Sequence, residues 1–337
     1  MRRVLDPPAL WYHDLCSCLQ CSIAGLIALH RTNPLTVLGA AWEFYYVPGD
    51  CRFEEFYYPC ANAGVLESMA PYHAARSTWH YPDDAAQGWE DIKLHINQGK
   101  SAIVAVDNYY LPFRPAHRDV HAAHLITIWG FDEEANTVYI ADPMPPAFCG
   151  PIDMEDFAAA RNSSCPNDGS DDFFADSAIA NRWLEVDLPA AYPVITVKWV
   201  REIVASNIKR YRASAPAITV ELTGLKGLET YLNDLAQKDK PRYFEELYTF
   251  GWAMQANTGL HAEFLKLAGK SLEEPELVEV GRWVDRIAHH WTALRVTGAQ
   301  GRLNRSINQD RIRRRADSMM ADYNTAINWM TRLVQAL

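Results

Sequence analysis

The apolar and polar positions of this chain first follow a helical repeat. Leu19, Ile23 and Leu26 recur at intervals of three and four residues, which places them on one face of a helix. This pattern predicts a helix over residues 16–30, with Asp14 at its N-cap position.

The pattern then changes to that of a mixed region. A second helix is predicted over 86–98, followed by buried strands over 101–111, 124–131 and 137–143, which are rich in β-branched residues. The polar sequence DEEAN separates the last two strands and predicts a β-hairpin. Residues 143–182 are rich in turn-forming residues and are predicted to form loops, with one short helix in IDMEDFAAARN.

From about residue 200 onward the helical repeat returns and continues to the last residue. Segments such as VREIVASNIKRYR and LKGLETYLNDLAQ place apolar residues at helical spacing. We therefore predict an α+β domain over residues 1–195 and an α-helical domain over residues 196–337.

The composition adds that the protein is globular and acidic. Its 337 residues are 49% hydrophobic and 22% charged, values that exclude a disordered or coiled-coil chain. The net charge of −10 argues against a nucleic-acid partner, which needs clustered cations. The first residues do not resemble a secretory signal, and no apolar stretch approaches the roughly 20 residues that span a membrane. We therefore expect a cytoplasmic protein with no membrane partner and with reduced thiols.

Three of the seven cysteines lie close together at the start of the first predicted helix. A thiol at a helix start lies near unpaired backbone N–H groups, which favour the thiolate and lower its pKa. Cys16 is the first candidate nucleophile and Cys18 the alternative, while Cys21 is expected to lie in the core. The four scattered cysteines are interpreted as packing residues: Cys51, Cys60, Cys149 and Cys165.

A histidine and an aspartate at the ends of the predicted hairpin complete a candidate catalytic triad. His124 opens one strand and Asp142 closes the next, so an antiparallel pairing brings their side chains together. A thiolate needs an imidazole to exchange protons with, and the imidazole needs an acceptor that orients it. The order Cys, His, Asp is that of papain-like thiol enzymes. We therefore predict that Cys16, His124 and Asp142 are catalytic.

The sequences of these segments resemble two groups of proteins. CSCLQCSIAGLIALH followed by HLITIWGFDEEANTVYIADP resembles the papain-like peptidases that cleave bacteriocin leaders. The longer VDNYYLPFRPAHRDVHAAHLITIWGFDEEANTVYIADP is more similar to the N-terminal domain of the butirosin biosynthesis protein H family, and GLKGLETYLNDLA and NTGLHAEFLKLAG resemble its helical C-terminal part.

This resemblance implies a fold and an activity. The fold would be a papain-like N-terminal domain followed by a mainly α-helical domain. The activity would be transfer of an aminoacyl or peptidyl group from an acyl or peptidyl carrier protein to a small-molecule amine acceptor, forming an amide in natural-product biosynthesis. The phosphopantetheine arm of the carrier would hold the acyl group as a thioester, and no cofactor is expected to be bound to the enzyme itself.

Two other classes of function remain open. The same triad supports a cysteine hydrolase, which is a peptidase, an amidase or a thioesterase, because water and an amine attack the same acyl-enzyme. A non-enzymatic binding protein on a decayed fold is the third interpretation. The oligomeric state also stays open, with a homodimer as one option.

Several further residues have a functional and a structural interpretation. His121 and Tyr110 lie close to His124 in the sequence and are candidate substrate-binding residues, as are Trp42 and Tyr45 in an aromatic stretch that could instead be core. The oxyanion donor is unassigned among the backbone N–H of Cys16 and the side chains of His13 and Gln20.

A metal site and a docking surface are the remaining alternatives. His117, Asp119, His121 and His124 cluster in the sequence, with Cys18 and Cys21 as additional potential ligands. We predict no metal, because the three thiols point in different directions on a helix. Arg311, Arg313, Arg314 and Arg315 form a basic tract that is either a solvated helix face or a dock for an acidic carrier protein.

Overall fold

The computed structural model describes residues 1–48, 58, 64–169, 178–213, 222–236, 242–304 and 309–336. Within these residues the chain forms two compact units. Unit 1 contains Met1–Pro34 and Ala75–Ala190, and unit 2 contains Ala191–Leu337 together with the described residues between 35 and 74. The change of unit near residue 190 lies close to the predicted domain boundary at 195. The early helices and turns after Pro34, which we assigned to the first domain, group instead with the helical unit.

Along the chain, a region of mixed strands and helices is followed by a region that is mainly helical. The strands are β1 (Arg2–Val4), β2 (Tyr45–Tyr46), β3 (Arg76–His80), β4 (Ala102–Asp107), β5 (Ala123–Asp132), β6 (Thr137–Asp142), β7 (Phe148–Asp153), β8 (Trp183–Asp187) and β9 (Leu222–Thr223). The helices are α1 (Cys18–Leu29), α2 (Pro34–Leu38), α3 (Val65–Met69), α4 (Ala85–Asn97), α5 (Met154–Asn162), α6 (Val197–Arg212), α7 (Gly224–Leu235), α8 (Arg242–Ser271), α9 (Pro275–Asn304) and α10 (Gln309–Ala336), with a 3-10 turn at Asn108–Tyr110.

An antiparallel sheet organises unit 1. Among the described residues its order is β3-β8-β4-β5-β6-β7, and β1 pairs with the end of β5. The hairpin predicted from the DEEAN sequence is confirmed, since β5 and β6 pair antiparallel with Phe131 opposite Val138. One face of the sheet packs against α4 and α5 through Ile92, Ile96 and Phe157. The last residues of β4 and β6 and the first residues of β5 and β7 therefore lie at the same end of the strands.

Helix α1 begins two residues later than its apolar spacing predicts. Ser17 is the N-cap, and the side-chain oxygen of Gln20 accepts hydrogen bonds from the Ser17 backbone N–H and from the Ser17 hydroxyl, each at 2.7 Å. This arrangement satisfies backbone donors at the helix start. The prediction of a helix start at Cys16 with an N-cap at Asp14 was wrong, because the capping pair decides where the first turn begins.

The sequence patterns missed four of the described strands of unit 1, which are β1, β3, β7 and β8. The segment FCGPID forms β7, which pairs with β6 so that Gly150 lies opposite Ile140 and Pro151 opposite Tyr139. Proline is tolerated there because β7 is an edge strand of the sheet and its outer backbone groups need no partner in the sheet.

Unit 2 is mainly helical, as predicted, with an aromatic core. Trp42 packs against the rings of Tyr211, His261 and Tyr323, with ring centroids 4.5–5.4 Å apart. Helices α8 and α9 form its longest pair. A search of the helices in the described ranges finds none that is both long and apolar enough to cross a membrane.

Candidate active site

His124 and Asp142 meet at one end of the strands of the unit 1 sheet. The Nε2 atom of His124 lies 2.9 Å from Oδ2 of Asp142, and both side chains are almost fully buried. Two elements supply them: His124 is the second residue of β5 and Asp142 is the last residue of β6. The juxtaposition expected from the antiparallel hairpin is therefore present.

A third side chain fixes the aspartate in place. The Arg114 guanidinium donates from Nη1 to Asp142 Oδ2 at 3.1 Å and to the backbone carbonyl of Met144 at 3.2 Å. The other oxygen of Asp142 accepts the backbone N–H of Met144 at 3.0 Å. Asp142 thus accepts three donors of different origin, and its orientation is set before any substrate arrives.

The arrangement defines which nitrogen of His124 is left for chemistry. Because Nε2 contacts the carboxylate, Nδ1 is the atom that remains to exchange a proton with a thiol or a substrate. Neither Cys16 nor Cys21 is hydrogen-bonded to His124 in the part of the chain that the structure describes. The structure therefore joins two members of the predicted triad and leaves the choice of thiol open.

The three clustered thiols occupy different positions relative to α1. Cys16 precedes the helix and Cys18 is its first residue, and Cys21 lies one turn further on. All three side chains are buried, with no more than 1% of their surface exposed. Burial and position alone do not separate them, so their electrostatic surroundings are informative.

Cys16 and Cys21 form a hydrogen-bonded pair. Donation to Cys21, together with burial, raises the pKa of the Cys16 thiol well above its ordinary value. The same hydrogen bond lowers the pKa of Cys21, against opposing contributions from burial and from the charge of Asp142. The influence of Asp142 shows that the first turns of α1 lie within electrostatic range of the His124–Asp142 pair.

One of the four scattered cysteines does not have the packing role expected from the sequence. Cys165 is fully buried, as expected for a packing residue, whereas Cys149 on β7 is exposed. The interpretation of Cys149 as a packing residue was wrong, because it lies on an edge strand with its side chain turned outward. Cys51 and Cys60 lie outside the described residues.

A second histidine–aspartate pair lies at the same end of the strands. His121 Nδ1 lies 2.7 Å from Oδ2 of Asp107, the last residue of β4, and the hydroxyl of Ser163 donates to the same oxygen at 2.6 Å. The other carboxylate oxygen accepts the backbone N–H groups of Tyr109 and Ala122 at 3.0 and 3.1 Å. Asp107 is fully buried, while His121 keeps 15% of its side chain exposed. An oriented, partly accessible imidazole therefore stands beside the first pair in the sheet.

The proposed substrate-binding aromatics divide between the two units. Tyr110 is partly buried in unit 1, and its ring lies 6.2 Å from that of His121. Trp42 belongs to unit 2, where it is 1% exposed within the aromatic core. Its prediction as a substrate contact is corrected to a packing role, since neighbouring rings cover it. Tyr45 is also largely buried in unit 2, on β2, and lines a small pocket beside Glu43 and Arg210.

All three residues suggested as oxyanion donors have other hydrogen-bond partners. The backbone N–H of Cys16 donates to the carbonyl of His13 at 2.9 Å. The side-chain oxygen of Gln20 is engaged in the helix cap, and His13 Nδ1 accepts from the backbone N–H of Leu15 at 3.3 Å. The Cys16 N–H is thus committed to a turn, and the prediction that it stabilises an oxyanion is not supported by this geometry.

The histidines of this segment do not form a metal site within the described part of the chain. Among the described residues, no group of three or more His, Cys, Asp or Glu side chains could hold a metal ion. His121 and His124 instead each contact one carboxylate, Asp107 and Asp142 respectively. Each of these carboxylates therefore orients one imidazole.

Comparison with known families gives a match over part of the chain. Residues 17–143 match the family described as butirosin biosynthesis protein H, N-terminal. This segment of the chain is similar to that family. The match contains Cys18, Cys21, His124 and Asp142, and it begins one residue after Cys16. A comparison with curated proteins gives no significant match.

The sequence patterns did not indicate the roles of two residues in the matched segment, Arg114 and Asp107. Arg114 holds Asp142 and Asp107 holds His121. Asp107 carried a usable signal, because it ends a buried strand just as Asp142 does. Arg114 carried none, since it is one arginine in a polar connection and its contact with Asp142 arises only when the strands pair.

Proposed function

We propose that this protein is an acyltransferase of antibiotic or related natural-product biosynthesis, working through a cysteine acyl-enzyme. The observation that carries the proposal is the buried His124–Asp142 pair, held by Arg114, inside the segment that matches the butirosin biosynthesis protein H family. An acyl or peptidyl carrier protein would supply the acyl group on its phosphopantetheine arm. A small-molecule amine would accept it, and a papain-like arrangement of the first unit is part of the same proposal.

Cys18 is the nucleophile that we favour among the three thiols. It is the first residue of α1, so its sulfur lies in the first turn, where unpaired backbone N–H groups and the helix dipole stabilise a thiolate. Cys16, our first candidate from the sequence, precedes the helix, and a hydrogen bond with Cys21 together with burial raises its pKa. Cys21 remains the alternative, because its pKa is lowered by that same bond.

The proposed reaction has two displacement steps. The Cys18 thiolate attacks the carrier thioester, a new C–S bond forms, and the pantetheine sulfur leaves with the proton that His124 had taken from Cys18. In the second step the amine nitrogen attacks the acyl-enzyme, a C–N bond forms and the bond to Cys18 breaks. The Cys18 sulfur then receives a proton from the amine through His124, which restores the starting state.

The second histidine meets a proton requirement of this reaction. An alkyl ammonium has a pKa of about 10, like a lysine side chain, and must lose one proton before it can attack. His124 handles the proton that moves between the amine and Cys18, so the first ammonium proton needs another acceptor. We propose His121, which Asp107 orients and which retains enough exposure to pass the proton to water. Tyr110, beside His121, would line the acceptor site.

The carrier protein would bind through charge. Arg313 and Arg314 are exposed on α10 of an otherwise acidic protein, and carrier proteins present acidic helices. A carrier dock on α10, a homodimer and a cytoplasmic location all stay predictions.

Intact-protein mass spectrometry tests the acyl-enzyme. Mixing the protein with an acyl-carrier thioester should add the mass of one acyl group, and Cys18→Ala should abolish that adduct while Cys16→Ala keeps it. An adduct that persists in Cys18→Ala and disappears in Cys21→Ala would move the nucleophile to Cys21. Absence of any adduct in the wild-type protein would contradict the covalent mechanism.

Product analysis separates transfer from hydrolysis. With an amine acceptor present, the amide should form at the expense of the free acid, because both products arise from one intermediate. His121→Gln should leave acylation intact and slow amide formation, more for strongly basic amines than for hydroxylamine, which arrives neutral at pH 7. Equal slowing for both amines would remove His121 from proton transfer, and free acid as the sole product would make the protein a hydrolase.

A further inference from the structure

A small pocket in unit 1 lies between α4 and α5 and is lined by residues that the proposed reaction does not use. Its volume is about 260 Å³. The walls are mostly apolar and come from Trp89, Met154, Phe157 and alanines of both helices. Arg161, Asn162 and Asn181 also line it, so polar side chains accompany an apolar lining. Binding sites for small molecules commonly combine these two features.

Arg161 is buried to an extent that is unusual for a guanidinium. Only 2% of its surface is exposed, and burial lowers its pKa to about 10. Isolated charges in a protein interior are costly, so a buried arginine normally contacts a carboxylate. No Asp or Glu in the described part of the chain forms a salt bridge with Arg161. Its Nη2 donates to the backbone carbonyl of Asn181, and its Nε has no partner there.

The surroundings of Arg161 hold its guanidinium beside the pocket. Nη2 lies close to Gly88 of α4, where a Cβ would be 3.7 Å from it. The guanidinium carbon lies 5.7 Å from the centre of the Phe157 ring. Nη1 donates to no described group, and the side chains of Asn162 and Asn181 bond to each other at 2.8 Å. A cation whose hydrogen-bonding capacity is only partly used therefore borders an apolar space.

We propose that this pocket binds a small organic monocarboxylate, with the carboxylate on Arg161 and a short aromatic or branched apolar body against Trp89, Met154 and Phe157. A carboxylate accepts hydrogen bonds from a guanidinium in a matching planar geometry. The apolar walls favour an organic acid over inorganic phosphate, which offers no apolar surface to bury. The site is separate from the His124–Asp142 pair in its residues and adds to the proposed function without depending on it.

Calorimetric titration of the full-length protein tests this proposal. Benzoate, phenylacetate and isovalerate are the probes, and benzamide and inorganic phosphate are the matched comparators. At least one carboxylate should bind saturably, and benzamide should bind roughly 10- to 100-fold more weakly than benzoate, because a hydrogen bond to a charged group is lost. Equal affinity for benzoate and benzamide, tighter binding of phosphate, or no saturable carboxylate binding would overturn the proposal.

Two variants locate the site. Arg161→Gln should weaken carboxylate binding by a similar factor, whereas Arg76→Gln, which changes an exposed arginine of the same unit, should leave it unchanged. Because the loss of a buried arginine can prevent folding, Ala158→Phe provides an independent test: it fills the pocket and retains Arg161. Carboxylate binding that survives Ala158→Phe at wild-type affinity would overturn the proposal, and its loss with a native circular dichroism spectrum would support it.

Discussion

The buried His261 should make the stability of unit 2 depend on pH between 6.5 and 4. His261 is fully buried on α8, and its Nδ1 donates to the backbone carbonyl of Gly39 at 2.8 Å. Its Nε2 has no partner among the described residues, so a second proton would create a buried, uncompensated charge. Burial accordingly lowers the pKa of His261 from 6.5 to about 4.

The magnitude follows from proton linkage. In the unfolded chain His261 takes up a proton below its ordinary pKa, whereas the folded protein does so only near pH 4, so acid favours the unfolded state over this range. The difference of about 2.5 pKa units between the two states corresponds to a loss of about 2 kcal/mol between pH 7 and pH 5, and about 3 kcal/mol by pH 4. Stability from this group is present above pH 6.5 and decreases as the pH falls.

Urea unfolding of the wild type and of His261→Asn, at several pH values from 7 to 4.5, measures the contribution. Asparagine can keep the donor to Gly39 and does not titrate, so the difference between the two proteins isolates His261 from other acidic and basic groups. The wild type should lose about 2 kcal/mol more than the variant between pH 7 and 5. Parallel pH profiles of the free energy of unfolding would refute the reasoning.

Three further predictions concern other described residues. Arg114→Met should leave the buried Asp142 carboxylate with one donor fewer and destabilise the fold by about 3–5 kcal/mol, measured by urea unfolding; a change below about 1 kcal/mol would show that the ion pair contributes little. Trp42→Ala should cost about 3–5 kcal/mol, because it opens a cavity among aromatic rings, whereas an unchanged unfolding midpoint would contradict a core position. Cys149 should react with iodoacetamide in the native protein faster than the buried Cys165, and faster still as the pH rises toward its raised pKa, as peptide mass mapping can show; equal rates would refute the exposure difference.

The sequence patterns predicted regular elements better than they predicted element ends. The hairpin of β5 and β6 and the helices of unit 2 follow from apolar periodicity, which is a local property of the chain. The start of α1 depends on one capping pair, Ser17 with Gln20, which the apolar repeat does not indicate. Strand β7 was missed because Pro151 and Gly150 weaken a strand pattern, and only the position at a sheet edge makes them acceptable.

The candidate site was predictable where it depended on the hairpin. His124 and Asp142 are paired by strand geometry alone, so their contact followed from reading two strands and a turn. The contacts of Arg114 and Ser163 depend on where connecting segments return to the sheet, which no local pattern encodes. Assigning Trp42 to a pocket failed for the same reason, since the rings that cover it come from distant parts of the sequence.

The Asp107 carboxylate has a consequence for protein engineering. One of its oxygens accepts the N–H groups of both Tyr109 and Ala122, and the backbone N–H of Asn108 donates to the carbonyl of Ala122 at 2.9 Å. The two ends of the connection between β4 and β5 are thus closed on each other before the chain reaches His124. Residues 111–119 form an insert on this frame, which makes them the natural place to graft loops of other lengths or sequences, with Arg114 retained to hold Asp142 and without displacing His124.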